Sequence, residues 1–257
     1  MAVVTDPGSP GTVCIGVGAI KVVEEPAFGI AHQVWPASRA LAAFAAAGAF
    51  SGRSVLELGA GCGLVGLAAA AAGANRVVLT DSSAAVERVA LNIAANGGVV
   101  SRAAGGASGR CVAAVLEWGT SGGFDLGEFD VIVASDCTYW RHLHGPLMRT
   151  LHKLAAAATP DRQATEVWLA HEWRRPAAEQ HFFDALVESF DVAEVSREGA
   201  VSVLRATRKR MPPHGHAGVA SGAASGTDGD DGTEDVGAML ARLRLVEDDL
   251  NSIKASD

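Results

Sequence analysis

Long apolar runs are missing from this chain of 257 residues, although hydrophobic residues make up 49% of it. Much of that share is alanine. The best candidate, residues 40–50, is far short of the roughly 20 apolar residues that a membrane-crossing helix needs. It is also flanked by Arg39 and by Ser51-Gly52-Arg53. No membrane association is expected. The N-terminus lacks the basic start and the apolar core of roughly 7–15 residues that mark a secretory signal. Cysteine is scarce and scattered, at Cys14, Cys62, Cys111 and Cys137, with no Cys-x-x-Cys pair. That spacing argues against zinc and against a disulfide framework, so no metal is expected and the thiols should be reduced. Such thiols place the chain in the cytoplasm, or also in the nucleus.

A basic stripe is missing too. The net charge is −8, and residues 211–257 account for −6 of it, with Arg242, Arg244 and Lys254 set against nine acids. The remaining 210 residues are nearly neutral at −2, which weighs against nucleic acid as a partner.

What the chain does carry is concentrated at 53–63 and at Asp81. Arg53-Ser54-Val55-Leu56-Glu57-Leu58 is a short apolar strand that breaks into Gly59-Ala60-Gly61-Cys62-Gly63. A helix-forming run, 64–72, follows, and then a second strand, Arg76 to Thr80, which ends on Asp81. Glycines let the backbone turn sharply and approach a bound molecule closely. An acidic residue about 20 positions on, at the end of the second strand, is placed to accept hydrogen bonds from ribose hydroxyls. This unit reads as a nucleotide-cofactor cradle. A phosphate-binding loop is excluded, because Gly63 is followed by Leu64-Val65 and not by Lys-Ser or Lys-Thr. Gly61-x-Gly63-x-x-Gly66 fits the letters of the dinucleotide fingerprint but starts late. Glu57 would also repel a pyrophosphate. A nicotinamide site and a ligand-free glycine turn are the alternatives.

Strands alternate with helices along the chain. Strands are predicted at 53–58, 76–81, 111–116, 129–134 and 165–170, with helices from Pro36 to about Ala47 and at 63–72, 84–95, 142–157 and 176–189. This alternation predicts a parallel sheet covered on both faces. Two last strands, near 191–196 and 200–206, flank the short turn Arg197-Glu198-Gly199 and should form an antiparallel hairpin at one edge. Val13 to Val23 is β-rich and suits a further edge hairpin. Residues 1–10 are expected to be disordered, 11–208 to form the enzyme domain, and 209–235 to be a disordered, acidic, glycine-rich linker. At 236–254, Val236, Met239, Leu243, Val246, Leu250 and Ile253 fall at alternating spacings of three and four, as an amphipathic helix. That helix could bind a partner, associate with itself or dock on its own domain.

Glu57-Leu58-Gly59-Ala60-Gly61-Cys62-Gly63 resembles motif I of the class I, seven-strand S-adenosyl-L-methionine-dependent methyltransferases. Four further segments narrow the resemblance: Val34-Trp35-Pro36-Ala37-Ser38, Leu116-Glu117-Trp118-Gly119, Ser135-Asp136-Cys137-Thr138-Tyr139 and His171-Glu172-Trp173-Arg174-Arg175. They look like the signatures of methyltransferase family 16, the small protein-lysine methyltransferases acting on Hsp70-type chaperones, valosin-containing protein and translation elongation factors. The match covers roughly residues 29–207, and Asp136-x-x-Tyr139 is its most diagnostic element. The Asn/Asp-Pro-Pro-Tyr run usual in DNA and RNA amino-methyltransferases is absent.

The resemblance implies a Rossmann-like α/β sheet of seven strands, S-adenosyl-L-methionine as cofactor, and the lysine side chain of a protein as substrate. It implies cofactor contacts from Gly59, Ala60, Gly61, Asp81, Trp118 along the adenine, Trp35 as a lid, and Ser135 through its backbone. Glu57 is expected to hold either the loop backbone or the cofactor's amino group. Asp136 and Tyr139 are the expected catalytic pair, orienting the incoming amine and facing the methylated cation with an aromatic ring. Each residue also has a plain structural role open to it: Trp35 as a hydrophobic staple, Asp81 as a strand end, Trp118 and Tyr139 as packing. His142 and His144 are expected to be solvated at a helix start, and His171 and Glu172 could line the acceptor channel. Two other functions remain open: a catalytically silent cofactor-binding adaptor working through its tail helix, and a small-molecule or nucleic-acid methyltransferase.

Overall fold

The computed structural model describes residues 4–5, 12–14, 20–98, 100, 111–120, 126–159 and 162–209. Three short strands come first, β1 (Val4–Thr5), β2 (Thr12–Cys14) and β3 (Val22–Val23), paired antiparallel in that order. Then α1 (Pro36–Ala46), β4 (Ser54–Leu58), α2 (Leu64–Ala71), β5 (Arg76–Asp81), α3 (Val86–Ala95) and β6 (Cys111–Val115) follow. The chain continues through β7 (Val131–Ser135), α4 (Arg141–Leu154), β8 (Glu166–Glu172), α5 (Pro176–Ser189), β9 (Phe190–Glu198) and β10 (Val201–Arg208).

The main sheet has seven strands in the order β6-β5-β4-β7-β8-β10-β9. The pairs from β6 to β8 are parallel, while β10 runs antiparallel to both β8 and β9. The expected architecture is therefore present, and element ends fall within three residues of the predicted ones. The hairpin turn is shorter than predicted, because β9 runs through Glu198 and β10 starts at Val201.

Two predictions at the N-terminus need correction. The β-rich segment forms a hairpin, but in its own small sheet and not at an edge of the main one. Val4–Thr5, placed in the expected disordered stretch, pairs with Val13 and Cys14. Buried amides on α3 tie this segment down. Asn96 Oδ1 accepts from the Lys21 N–H at 2.8 Å, and its Nδ2 donates to the Lys21 carbonyl at 2.7 Å. Asn92 accepts from the Val23 N–H and donates to the Cys62 carbonyl, so one side chain links β3 to the glycine turn. At the other end Lys209 bonds Ser189 and Val187 carbonyls. The rest of the expected linker and the helix 236–254 lie outside the described residues.

Strand alternation sorts the core into two layers. Val55, Val77, Leu79, Val131, Val133 and Trp168 face α1, α2 and α3. Leu56, Leu58, Val78, Ile132, Val167 and Leu169 face α4 and α5, where Phe182, Phe183 and Leu147 are fully buried. The α1 helix stops as its sequence suggests. Gly48 takes φ +90°, its N–H reaches the Ala45 carbonyl and the Ala49 N–H reaches that of Phe44. That is a Schellman cap, where the left-handed residue costs glycine nothing.

One close approach decides how α2 sits on the sheet. A Cβ on Gly66 would lie 2.6 Å from Glu57 Oε2 and 2.6 Å from Leu79 Cγ. Gly66→Ala should therefore overpack the core and lower stability by about 1–3 kcal/mol in chemical denaturation. Gly97→Ala, with nothing within 4 Å of its Cβ, serves as control and should be neutral or slightly stabilising. Equal stability of the two variants would refute this packing account.

Candidate functional site

The switch in strand order falls between β4 and β7, which pair directly although β5 and β6 come between them in sequence. In an open parallel sheet that is where a crevice opens at the strand ends. A cavity of about 560 Å³ lies there. Its walls come from the ends of five strands: Gly59 to Cys62 after β4, Asp81 ending β5, Leu116 to Trp118 after β6, Ser135 to Cys137 and Tyr139 around the end of β7, and Arg174 and Arg175 after β8. Ile30, Trp35 and Ser38 close it from the segment leading into α1.

Nine of the ten predicted site residues line this one cavity: Trp35, Gly59, Ala60, Gly61, Asp81, Trp118, Ser135, Asp136 and Tyr139. The glycine turn is held in shape by Asp81, whose Oδ2 accepts the Gly61 N–H at 2.7 Å while Oδ1 accepts that of Ser82 at 2.7 Å. Burial raises the Asp81 carboxyl above its ordinary value, and those two N–H bonds work the other way. Gly59 has φ +62°, and a Cβ on it would meet the Trp118 ring at 2.9 Å and Cys137 Sγ at 2.8 Å. Only glycine lets the indole lie this close to the turn. Glu117, beside it, accepts from the Ser83 N–H and hydroxyl.

Glu57 is the exception among the predicted cofactor contacts. It is 1% exposed, does not line the cavity, and its Oε2 accepts the Gly66 N–H at 2.8 Å. Its position on the central strand β4 points it beneath the turn, against α2. The loop-holding role is the one the structure supports. Burial raises its carboxyl from 4.5 to about 8.

At the far end of the cavity, Asp136 is the only non-glycine residue with positive φ among the described residues, at +54°. As a residue it is 5% exposed, and its carboxylate accepts from three donors. Arg174 Nη2 donates to Oδ2 at 2.8 Å, Arg174 Nη1 to Oδ1 at 3.2 Å, and the Glu172 N–H to Oδ1 at 3.2 Å. The same guanidinium stacks over the Trp35 ring at 5.0 Å and bonds Glu172. Trp35 is fixed in turn by its indole N–H on the Ile30 carbonyl, at 3.0 Å. Its ring thus lines the cavity and does not act as a buried staple. Ser135 Oγ pairs with Ser38 Oγ at 2.8 Å, which leaves its backbone to face the cavity. Tyr139, the chain's single tyrosine, lies 4.8 Å from the Trp140 ring. Burial, with Cys137, Asp81 and Asp136 nearby, pushes its phenol up to about 12.

Two of the three histidines near the site depart from expectation. His144 is buried, with Nε2 on the Thr138 carbonyl at 2.8 Å, while His142 is exposed and stacked on Trp140. His171 lies behind the cavity wall, 1% exposed, between Thr138 Oγ1 at 2.9 Å and Glu179 Oε2 at 3.2 Å. Its imidazole value is lowered by burial, against the pull of Glu179 and Asp136. Glu172 does not line the cavity; its N–H bonds Asp136 directly and its carboxylate bonds Arg174. Sequence reasoning missed Arg174, Arg175 and Glu179. The run Glu172-Trp173-Arg174-Arg175 after a strand end was the available signal. Glu179 Oε2 accepts the N–H groups of Arg174 and Arg175 and so fixes this loop on α5.

The raised Glu57 carboxyl has a measurable consequence. Its proton affinity is higher folded than unfolded, so its contribution to stability is greatest below about pH 4.5 and is lost as pH rises through about 8. Glu57→Gln keeps an acceptor for Gly66 without the ionisable group. Its melting temperature should gain on that of the parent chain between pH 5 and pH 8.5. A constant difference across that range would contradict the protonated, buried carboxyl.

A family profile described as lysine methyltransferase matches residues 18–189 of the chain. The EEF1A lysine methyltransferase 3 of Mus musculus is 28% identical over 192 residues, spanning 73% of this chain and 76% of that protein. The protein N-lysine methyltransferase METTL21A of Danio rerio is 30% identical over 189 residues, spanning 71% and 79%. Among solved structures, an O-methyltransferase family protein from Burkholderia thailandensis superposes with TM-score 0.50 and 13% identity, over 66% of this chain and 56% of that one. At that identity the likeness is one of fold alone. With its cavity at the switch point and its match running from the first small sheet through α5, this chain belongs to the lysine methyltransferase family.

Proposed function

We propose that the chain is an S-adenosyl-L-methionine-dependent methyltransferase that modifies the side-chain amine of lysine in a protein substrate. The observation that carries the reading is the convergence of an acidic strand end, a glycine turn under an indole, and an Asp–Arg–Tyr cluster on one cavity. The two relatives act on proteins by their names, which supports a protein here. An elongation factor, a chaperone or an AAA ATPase is the kind of substrate to try first. The widely spaced cysteines favour the cytoplasm, with or without the nucleus, as its place of work.

The residues present suit that cofactor. A carboxylate has about four acceptor sites, and Asp81 gives one to the Gly61 N–H of the turn and others to Ser82, which leaves capacity for a ribose hydroxyl. Trp118 offers a ring face against Gly59 for the adenine, and the backbone of Gly59 to Gly61 and of Ser135 faces the same space. Trp35 closes the opposite side. When bound, the cofactor supplies a methyl group on a positively charged sulfur. The chain's own part is to hold the amine in line, keep bulk water away and leave the lone pair free. Asp136 is placed to accept a hydrogen bond from the amine, and Tyr139 with Trp140 presents ring faces that attract a methylated cation. The Tyr139 phenol, pushed up to about 12, stays protonated at neutral pH, so it hydrogen-bonds or packs and does not serve as a phenolate base. The proton lost by the substrate leaves to water.

Calorimetric titration of S-adenosyl-L-methionine should show tight binding. Asp81→Ala should weaken it by about 1.5–3 kcal/mol, through lost hydrogen bonds to a charged group and a loosened turn. Equal affinity in both proteins would defeat the cofactor reading.

A second measurement separates chemistry from binding. Asn tolerates the left-handed backbone of position 136. Asp136→Asn should therefore keep cofactor affinity within about twofold while methyl transfer to protein lysine falls by about two orders of magnitude. The assay is transfer of labelled methyl to the proteins of a cell extract, with the labelled residue identified. Transfer at the parent rate would remove Asp136 from the acceptor site.

A further inference from the structure

Methyl transfer needs the lysine as a free amine, yet its ordinary value near 10.4 keeps it charged at neutral pH. A bare carboxylate beside it would make that worse, since an opposite charge stabilises the ammonium. In this structure Asp136 is not bare. Three donors already occupy most of its roughly four acceptor sites, two of them from the fixed fork of Arg174. That arginine is itself held from four directions: by Asp136, by Glu172, by the Trp35 ring, and through its own N–H by Glu179. Burial opposes its charge, but Asp136 and Glu172 overcome this and hold the guanidinium above its ordinary value. It lines the same cavity as Asp136 and Tyr139, so it is a permanent positive charge facing the acceptor position.

Resting on the proposed lysine methylation, we propose that Arg174 is a positioning residue that offsets the charge of Asp136, so that the substrate ammonium gives a proton to water and presents a neutral amine. The bidentate pair leaves Asp136 able to accept one hydrogen bond from the amine while supplying little net attraction for a charge. Geometry for acceptor alignment and a neutral field for its lone pair thus come from the same pair.

Other groups around the acceptor position do not imitate this effect between pH 7 and pH 10. Tyr139, from the end of β7, is pushed up to about 12. Cys137, behind the turn, is raised well above its ordinary value by burial. His171, packed against Asp136 from β8, is lowered by burial and so stays neutral. Glu172 and Arg175 from the end of β8, Glu179 from α5, and Asp81 and Glu117 across the cavity complete the charged groups. His142, on α4 beside Trp140, and Cys62 after β4, raised by burial to about 12, complete the titratable ones. Glu57, at about 8, titrates in the window, but it lies beneath the turn and is common to every variant compared.

The test measures kcat/KM from pH 6 to pH 10 for the full chain, Arg174→Gln and Arg174→Lys. The probe is the extract protein that the parent chain labels on lysine, and the cofactor Kd is measured on each variant. Arg174→Gln should shift the pH of half-maximal rate upward by about one unit, which is about tenfold less activity at pH 7 with recovery in alkali. Arg174→Lys keeps the charge and should hold the parent midpoint, and the cofactor Kd should be unchanged in both. An Arg174→Gln profile parallel to the parent, or a loss that alkali does not restore, overturns the proposal and leaves the arginine a structural role. Equal shifts in both variants overturn it as well, because charge would not be the cause. If the parent chain binds cofactor but labels no lysine at any pH, the proposed function fails first and the role of Arg174 falls with it.

Discussion

Two carboxyl groups holding backbone N–H groups, Glu57 buried and Asp81 on the cavity wall, are the constraint on which the rest of the site depends. The turn after β4 has φ positive at Gly59, Gly61 and Gly63, and such a turn does not hold its shape by local preference alone. Asp81, arriving on the neighbouring strand, takes the Gly61 N–H, and Glu57, one turn of chain earlier, takes that of Gly66 at the start of α2. Because β4 and β5 pair in register from Ser54 with Arg76 to Leu58 with Thr80, Asp81 comes to lie beside the turn without any further adjustment. Sheet register, turn shape and cofactor cradle are one arrangement.

The acceptor end follows a different logic. Asp136 follows the end of β7 and pays for its position with a left-handed backbone, the kind of local strain that persists only where surrounding contacts hold it. Those contacts are visible: the Asp136 N–H on the Ala170 carbonyl at 2.8 Å, and the donors from Glu172 and Arg174 on its carboxylate. The loop after β8 that supplies them is anchored by Glu179 on α5. The Trp35 ring joins the same set through the guanidinium. A change at Glu179 therefore reaches Asp136 through backbone and side chain, without touching the cavity itself.

The placement of histidine shows why polarity in sequence is a poor guide to exposure. His144 and His171 read as solvated or channel-lining groups, yet each fills a gap in the apolar layer under α4 and α5. Each finds hydrogen-bond partners there, Thr138 in both cases. His142, two positions from His144, stays outside. On one helix, a difference of two positions turns a side chain to the opposite face.

Sequence alone determined the order and type of the elements of the main sheet, because each depends on local signals: continuous apolar runs for β4, β5 and β7, glycine at the breaks, and proline at helix starts. It also determined the identity of the cavity residues Gly59, Gly61, Asp81, Trp118, Asp136 and Tyr139, since strand ends of a parallel sheet must share one rim. What it could not decide is where side chains of middling polarity point. Glu57 and Asp81 are both acids at the ends of neighbouring strands, one beneath the turn and one beside it, and only the packing of α2 through Gly66 separates their roles. In sequence Arg174 stands only inside a signature run, with no role of its own. It joins the site because β8 ends beside β7, and a partner thirty-eight positions away is set by strand order, which no local window contains.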